Sequence, residues 1–263
     1  MPRALWSGSL SFGLVNVPVA LFSGVVDTDL HFRQLHDKDD TPLETRRFCA
    51  EEDEEVPYEE IVNGYDTDDG ELVLLSDAEL STASPRRTRT IDIEAFVDLD
   101  DVDPIYFDHP YVVVPAGEAE GIQRAYRLLL EVMERTERAA LGRFVMRTKE
   151  HLALIRAREG RLVLTTMRFH DEVRPAEDVP TPTKKDKPTR KQVEQAVELI
   201  EALACPWDPS RYEDAYEKRL RAIIDEKRKN GTVELPDDEE DEDLSPVSDL
   251  MEALERSLAE AKA

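Results

Sequence analysis

From Leu10 to Leu21 the apolar side chains alternate, and the alternation changes phase once. Leu10, Phe12 and Leu14 keep one parity; Val15, Val17, Val19 and Leu21 keep the other. A strand sends successive side chains to opposite faces, so alternation marks a half-buried strand and a one-residue slip exchanges the faces. The slip falls at Leu14-Val15, between Gly13 and Asn16, where a bulge or tight bend fits. The stretch predicts two core strands. Ser9, Ser11, Gly13, Asn16 and Pro18 break the apolar run. That argues against the h-region of a signal peptide and against a spanning helix, which needs roughly 20 apolar residues.

The same period returns further on. Residues 3–35 read as strands and 37–70 as polar and loop-rich. "LVLLSDAEL" (72–80) reads as a strand and a short helical turn. "RTIDIEAFVDL" (89–99) alternates through Ile91 and Ile93, then Phe96 and Leu99 after a slip. "IYFDHPYVVVP" (105–115) is aromatic and β-branched, as strands are. Residues 118–136 switch to helical period, with Ile122, Ala125, Tyr126, Leu129, Val132 and Met133 on one face. Strands resume over 141–169, with a hairpin turn at "REGR" (158–161). Many short strands and one inserted helix make an α+β barrel or sandwich.

After Pro175 the character changes. "DVPTPTKKDKP" (178–188) reads as a Pro-rich linker. Thr189 and Gln192 form a capping box ahead of a stripe of Val193, Ala196, Val197, Ile200, Leu203 and Ala204. Ser210 and Glu213 are expected to open a second helix, with Tyr212, Tyr216, Leu220, Ile223 and Ile224 on one face and Asn230-Gly231 as its stop. Seven consecutive acids, 237–243, repel one another and predict disorder. A last helix from Ser245-Pro246 aligns Val247, Leu250, Met251, Leu254 and Leu258. Such a stripe either folds back on the core or enters a groove on a partner.

The chain has 59 acidic against 34 basic residues, a net charge of −25, which argues against general affinity for polyanions. No phosphate-binding loop, dinucleotide fingerprint or nucleophile elbow is present. Cys49 and Cys205 are isolated and read as buried structural thiols, and the five histidines lack metal-ligand spacing. No catalytic residue, cofactor or metal is therefore expected. The five Asp of "DLDDVDPIYFD" (98–108) leave a nuclease using Asp101 and Asp103 as a minor rival; "DTDDG" (66–70) lacks the order of a calcium loop.

The bases that exist are clustered. Residues 143–168 hold seven against two acids, 84–90 hold three against none, and 184–191 hold five against one. Along strands such bases line one face, with Phe144, Met146 and Leu152 turned into a core. A cationic inner surface is the expectation. An acidic interaction scaffold that does not bind DNA is the alternative.

Several segments together resemble the bacterial and archaeal Ku family. "WSGSLSFGLVNVPVALF" is similar to its opening motif, and "FRQLH", "EEVPYEEIVNGY", "FVDLDDVDPIYFDHPY", "RFVMRTKEHLALI" and "TMRFHDEVR" to later blocks in the same order. The resemblance implies a Ku-type β-barrel core with bridge (1–180, the bridge about 36–70) and a helical dimerisation arm (181–232). An acidic linker (233–245) and a partner-docking helix (246–263) would follow. It implies a homodimeric ring that threads onto double-stranded DNA ends without reading sequence, in the cytoplasm at the nucleoid, with no membrane part. ATP-dependent ligase D would be recruited through Val247, Leu250, Met251, Leu254 and Leu258. DNA contacts are expected from Arg33, Lys38, Arg46, Arg47, Arg86, Arg87, Arg143, Arg147, Lys149 and Arg156.

The chain departs from the family in places. "FCAEED" lacks the common C-x-x-C pair; Ala20, Pro42 and Glu44 stand where relatives often have bases; and no Lys-rich tail follows the last helix. With 24 of the 34 bases being Arg, the expectation is an acidic exterior around an Arg-lined hole, because a guanidinium meets phosphate oxygens bidentately.

Overall fold

Strand β1 (Trp6–Phe12) and strand β2 (Val15–Ser23) pair from Trp6↔Leu21 to Phe12↔Val15, joined by the two-residue turn Gly13-Leu14. The phase slip is that turn. Gly13 has φ +57°, a conformation glycine adopts without penalty. Leu14 points fully into solvent, and Leu10, Val17, Val19 and Leu21 are buried. These facts come from a computed structural model that describes residues 3–83, 85, 88–180, 187–231 and 257.

Seven strands close into a barrel in the order β1-β2-β6-β9-β8-β7-β5. The others are β5 (Thr90–Asp98), β6 (Phe107–Pro115), β7 (Arg138–Met146), β8 (Lys149–Arg158) and β9 (Arg161–Met167). Every pairing is antiparallel except β1 with β5, which is parallel and completes the ring. Closure leaves no exposed sheet edge. The slip at 93–95 is a bulge in β5 opposite β7. There β5 passes so close that a Cβ on Gly142 would lie 2.4 Å from the Asp92 carbonyl oxygen, so only glycine fits. In the β8–β9 hairpin, Glu159 and Gly160 both have positive φ, the pattern of a type I′ turn.

The barrel is filled by inward residues, among them Leu10, Leu21, Ile91, Val113, Phe144, Ile155 and Leu164. Helix α2 (Glu120–Thr136), after the shorter α1 (Asp77–Ala83), packs Tyr126, Leu129 and Met133 against this core. Val132 does not join them. It is exposed, and Leu130 packs in its place. The Tyr126 hydroxyl donates to the Val113 carbonyl at 2.8 Å and accepts from the Leu162 amide at 2.9 Å. Burial raises its ionisation above the usual phenol range. Tyr126→Phe strands two buried backbone groups. It is expected to destabilise the fold by about 1–3 kcal/mol, read as a lower denaturant midpoint; an unchanged midpoint would refute the pairing.

A second apolar cluster lies on the outside of β7, β8 and β9. Ala139, Leu154 and Met167 pack there with Leu99, Val102, Tyr106 and Phe107. Leu152 belongs to this cluster, not to the interior with Phe144 as expected: the register pairs Phe144 with His151, so Leu152 takes the opposite face. Phe96 also faces out, edge-on to Phe12 at 5.3 Å.

The remaining differences concern segments where alternation is absent. Residues 24–35 carry no strand; Leu35 there makes an isolated bridge to Pro42, and a second bridge, Phe48↔Glu55, follows. The loop-rich stretch contains strand β3 (Asn63–Asp66), paired with β4 (Leu72–Leu75). Its four residues, NGYD, have no apolar pattern to show it.

Residues 29–31 and 177–231 form a unit separate from 3–28 and 32–176. It carries α3 (Arg190–Leu203), whose capping box is Thr189 with Gln192, and α4 (Ala215–Asn230). The second helix starts later than expected: its cap is Asp214, accepting from the Glu217 amide, while Ser210 lies in a short turn capped by Asp208. Tyr212 precedes the helix and stacks on Trp207 at 5.3 Å. Gly231, with φ +77°, ends α4 as expected. Cys205 is exposed, not buried, because it sits in this loop; Cys49 is half-buried. The acidic run and, apart from Ser257, the last helix lie outside the described residues.

Candidate nucleic-acid interface

The expected phosphate contacts do not form one patch. Arg86 and Arg87 lie outside the described residues. Arg33 and Lys38 sit on the exposed segment before β3, with no carboxylate partner among the described residues. Arg46 is held by Glu44 at 3.1 Å and Glu55 at 3.0 Å, which raise its pKa further. Arg47 lies over the Tyr58 ring, 5.6 Å from its centre.

On the barrel, Arg143 points outward from the middle of β7 between Glu94 at 3.3 Å and Glu150 at 3.6 Å. Lys149 opens β8 and reaches Glu172 at 3.2 Å. Arg156 is seven residues along the same strand, roughly 23 Å away at ~3.3 Å per residue. It lies at the other end of the barrel, half-buried beside Leu99 and Arg138, where burial and then Arg158 lower its pKa. Arg147 occupies the β7–β8 turn with φ +61° and has no carboxylate partner among the described residues. So Arg147 and Lys149 come together at one barrel end, Arg143 faces outward, and Arg156 is remote.

The acids explain this pattern. Exposed ion pairs contribute little stability, about 0–1 kcal/mol, but each leaves its base neutralised until a phosphate displaces the carboxylate. Three of the five Asp of 98–108 are likewise engaged. Asp98 and Asp103 cap short turns, Asp98 also meets Arg138 at 3.3 Å, and Asp108 meets Arg168 at 3.5 Å. Among the described residues no group of three His, Cys, Asp or Glu is placed to hold a metal ion.

Sequence reasoning passed over three groups at this barrel end. Arg89 lies beside Arg147 across a shared cavity; it stood in the basic stretch 84–90 but was given no role. Tyr111 and His151 line the next cavity with Arg147 and Lys149, and nothing in their spacing marked them. The His151 ring packs tilted against Phe144, ring centres 5.6 Å apart and planes at 35°. Burial first, and then the Lys149 charge, lowers its pKa, against weaker opposition from Asp108 and Glu172. A histidine held neutral by the fold binds fewer protons folded than unfolded, so its contribution is full above ~6.5 and is lost as pH falls through that range. His151→Gln should shrink the drop in Tm between pH 7.5 and pH 5 (roughly the window below ~6.5). An unchanged drop would assign it to other groups.

Among the described residues no helix is long and apolar enough to cross a membrane. A family model described as the Ku70/Ku80 β-barrel domain matches residues 11–195. Over 262 residues the chain is 38% identical to non-homologous end joining protein Ku 1 of Geotalea uraniireducens, covering 99% of this chain and 98% of that one. It is 38% identical to the Ku protein of Anaeromyxobacter sp., covering 100% and 87%, and 34% identical to that of Coxiella burnetii, covering 98% and 94%. The SPOC domain of human PHD-finger protein 3 matches at TM-score 0.30 and 12% identity, over 63% of this chain and 95% of that one, too slight a likeness to argue from. With its closed seven-stranded barrel, the helix α2 packed on its core and a match that runs through both, the chain belongs to the Ku family.

Proposed function

We propose that this protein binds double-stranded DNA ends without reading sequence, acting in non-homologous end joining as a homodimeric ring. The observation that carries the reading is the full-length similarity to proteins named for that process. The chain itself supports it in two ways. Arg33, Lys38, Arg47 and Arg147 have no carboxylate partner among the described residues, on a protein of net charge −25. Both arm helices carry apolar side chains in the open: Val193, Val197, Ile200 and Leu203 on α3, Tyr216, Ile223 and Ile224 on α4. A second copy would cover them. Residues 181–232 then serve as the dimerisation arm, about 36–70 as the bridge over DNA, and 233–245 as an acidic linker. The stripe from Val247 to Leu258 docks on ligase D. The protein needs no catalytic group of its own and works in the cytoplasm at the nucleoid.

A closed ring would also account for the acidity. Phosphate affinity falls steeply with salt, but a ring leaves DNA only by sliding off an end and needs less attraction to stay. The deciding experiment compares a linear duplex with a covalently closed circle of the same sequence at several salt concentrations. Retention on the linear form alone supports end loading. Equal binding to both overturns the ring, and binding to neither favours an acidic protein scaffold. Leu250→Asp with Leu254→Asp should abolish ligase D stimulation without changing end binding; undiminished stimulation would move docking elsewhere.

A further inference from the structure

We propose that the barrel end beside the β7–β8 turn is a receptor for a phosphate group. Two cavities there, of about 350 and 310 Å³, share Leu5 and Arg147 as walls. At ~30 Å³ per water each holds roughly ten waters. The first adds Trp6 and Arg89; the second adds Tyr111, Lys149 and His151.

The charge here is unspent. Arg138, Arg143, Lys149, Arg158, Arg161 and Arg168 of the same barrel are all ion-paired. Arg89 and Arg147 have no carboxylate partner among the described residues. The acids that face the site are already engaged, Asp108 by Arg168 and Glu172 by Lys149 and the Phe169 amide. An incoming anion therefore meets two free guanidiniums without displacing a carboxylate. Arg147 also acts electrostatically on Tyr111, whose phenol burial keeps protonated and able to donate.

The backbone carries a second, independent sign. Met146 pairs with Lys149, so Arg147-Thr148 is a two-residue hairpin turn, and of the two only Arg147 has positive φ. That pattern favours glycine at its first position. A bulky side chain held there is strained, and strain of this kind collects at ligand sites. Glycine would relieve the turn but lose the guanidinium. Two planar forks and a phenol suit a phosphate, whose anionic oxygens accept bidentately, and the apolar wall of Leu5 and Trp6 strengthens each contact. The phosphate has two possible sources, a nucleic-acid strand or a small phosphate ester. The inference needs neither the ring nor the dimer.

The test uses the full chain and inorganic phosphate, titrated at constant ionic strength with chloride as the control. Phosphate should raise Tm saturably and broaden its own ³¹P line. Arg89→Ala with Arg147→Gly should abolish both effects, whereas Arg143→Ala on the outer face should keep them. Arg147→Gly alone should raise Tm without phosphate, which a merely damaging change would not do. The absence of a saturable response in the wild type, or a full response in the double variant, overturns the proposal. Repeating the titration with saturating blunt duplex separates the sources. A lost response assigns the site to a DNA phosphate; a retained one assigns it to a free phosphate ester. If the linear and circular duplexes bind alike, the ring falls and this titration is unaffected.

Discussion

Replacing Arg143, Arg147 and Lys149 together by Glu is expected to abolish binding to duplex ends while the dimer persists. Each phosphate contact contributes roughly 0.9 to the salt slope of log K, so removing three should lower the slope by about 3. Reversal also sets three new negative charges against the DNA, and at about 0.1 M salt the loss should exceed ~100-fold. The single changes should rank unequally. Arg147 has no carboxylate partner among the described residues, so its reversal removes a full charge from the site. Arg143 is shared by Glu94 and Glu150, and Lys149 by Glu172, so their losses should be smaller. Conversely, Glu94→Gln with Glu150→Gln should release Arg143, tighten binding and steepen the salt slope if β7 faces DNA. Gel shifts across a salt series read both parameters, and sedimentation reads the dimer. Undiminished binding by the triple variant would remove the β7–β8 hairpin from the interface.

Phe144→Ala should be among the most damaging single changes to the fold. Phe144 is 2% exposed, meets the Trp6 ring edge-on at 5.6 Å, and packs tilted against His151. Its removal leaves a cavity between β1, β7 and β8 that closed strands cannot collapse to fill. The expected cost is about 3–5 kcal/mol, a fall in Tm of roughly 10–15 °C for a chain of this size. The Trp6 indole donates to the Val145 carbonyl at 2.9 Å, so its emission should redden as water enters. A loss below about 1 kcal/mol would mean the barrel repacks, contrary to a close-packed interior.

The strands of the barrel were legible because each has one buried face. The period-2 pattern at Leu10–Leu21, the slips at Gly13 and at Ile93–Ala95, and the turn at Glu159–Gly160 all report burial directly. The capping box at Thr189–Gln192 and the left-handed stop at Gly231 were legible for a similar reason: they satisfy backbone groups within three or four residues. Strand β3 was not legible, since NGYD buries no residue. Val132, Phe96 and Leu152 were misplaced because period alone does not say which of two apolar faces meets the barrel interior. Among the bases, sequence could count charge but not pairing. Arg143 and Arg147 are four residues apart and look alike, yet one is clasped by two glutamates and the other meets no carboxylate among the described residues.

The chain by itself determined the alternation of secondary structure, the inventory of charge, and the absence of familiar catalytic motifs, because these depend on neighbours a few residues away. Only the tertiary structure decided that the strands close through a parallel β1–β5 pair, that Arg156 is carried to the far end from Lys149, and that Arg89, Tyr111, Arg147 and His151 gather at one barrel end. Those juxtapositions depend on register between strands distant in sequence, and register is set by how the whole core packs.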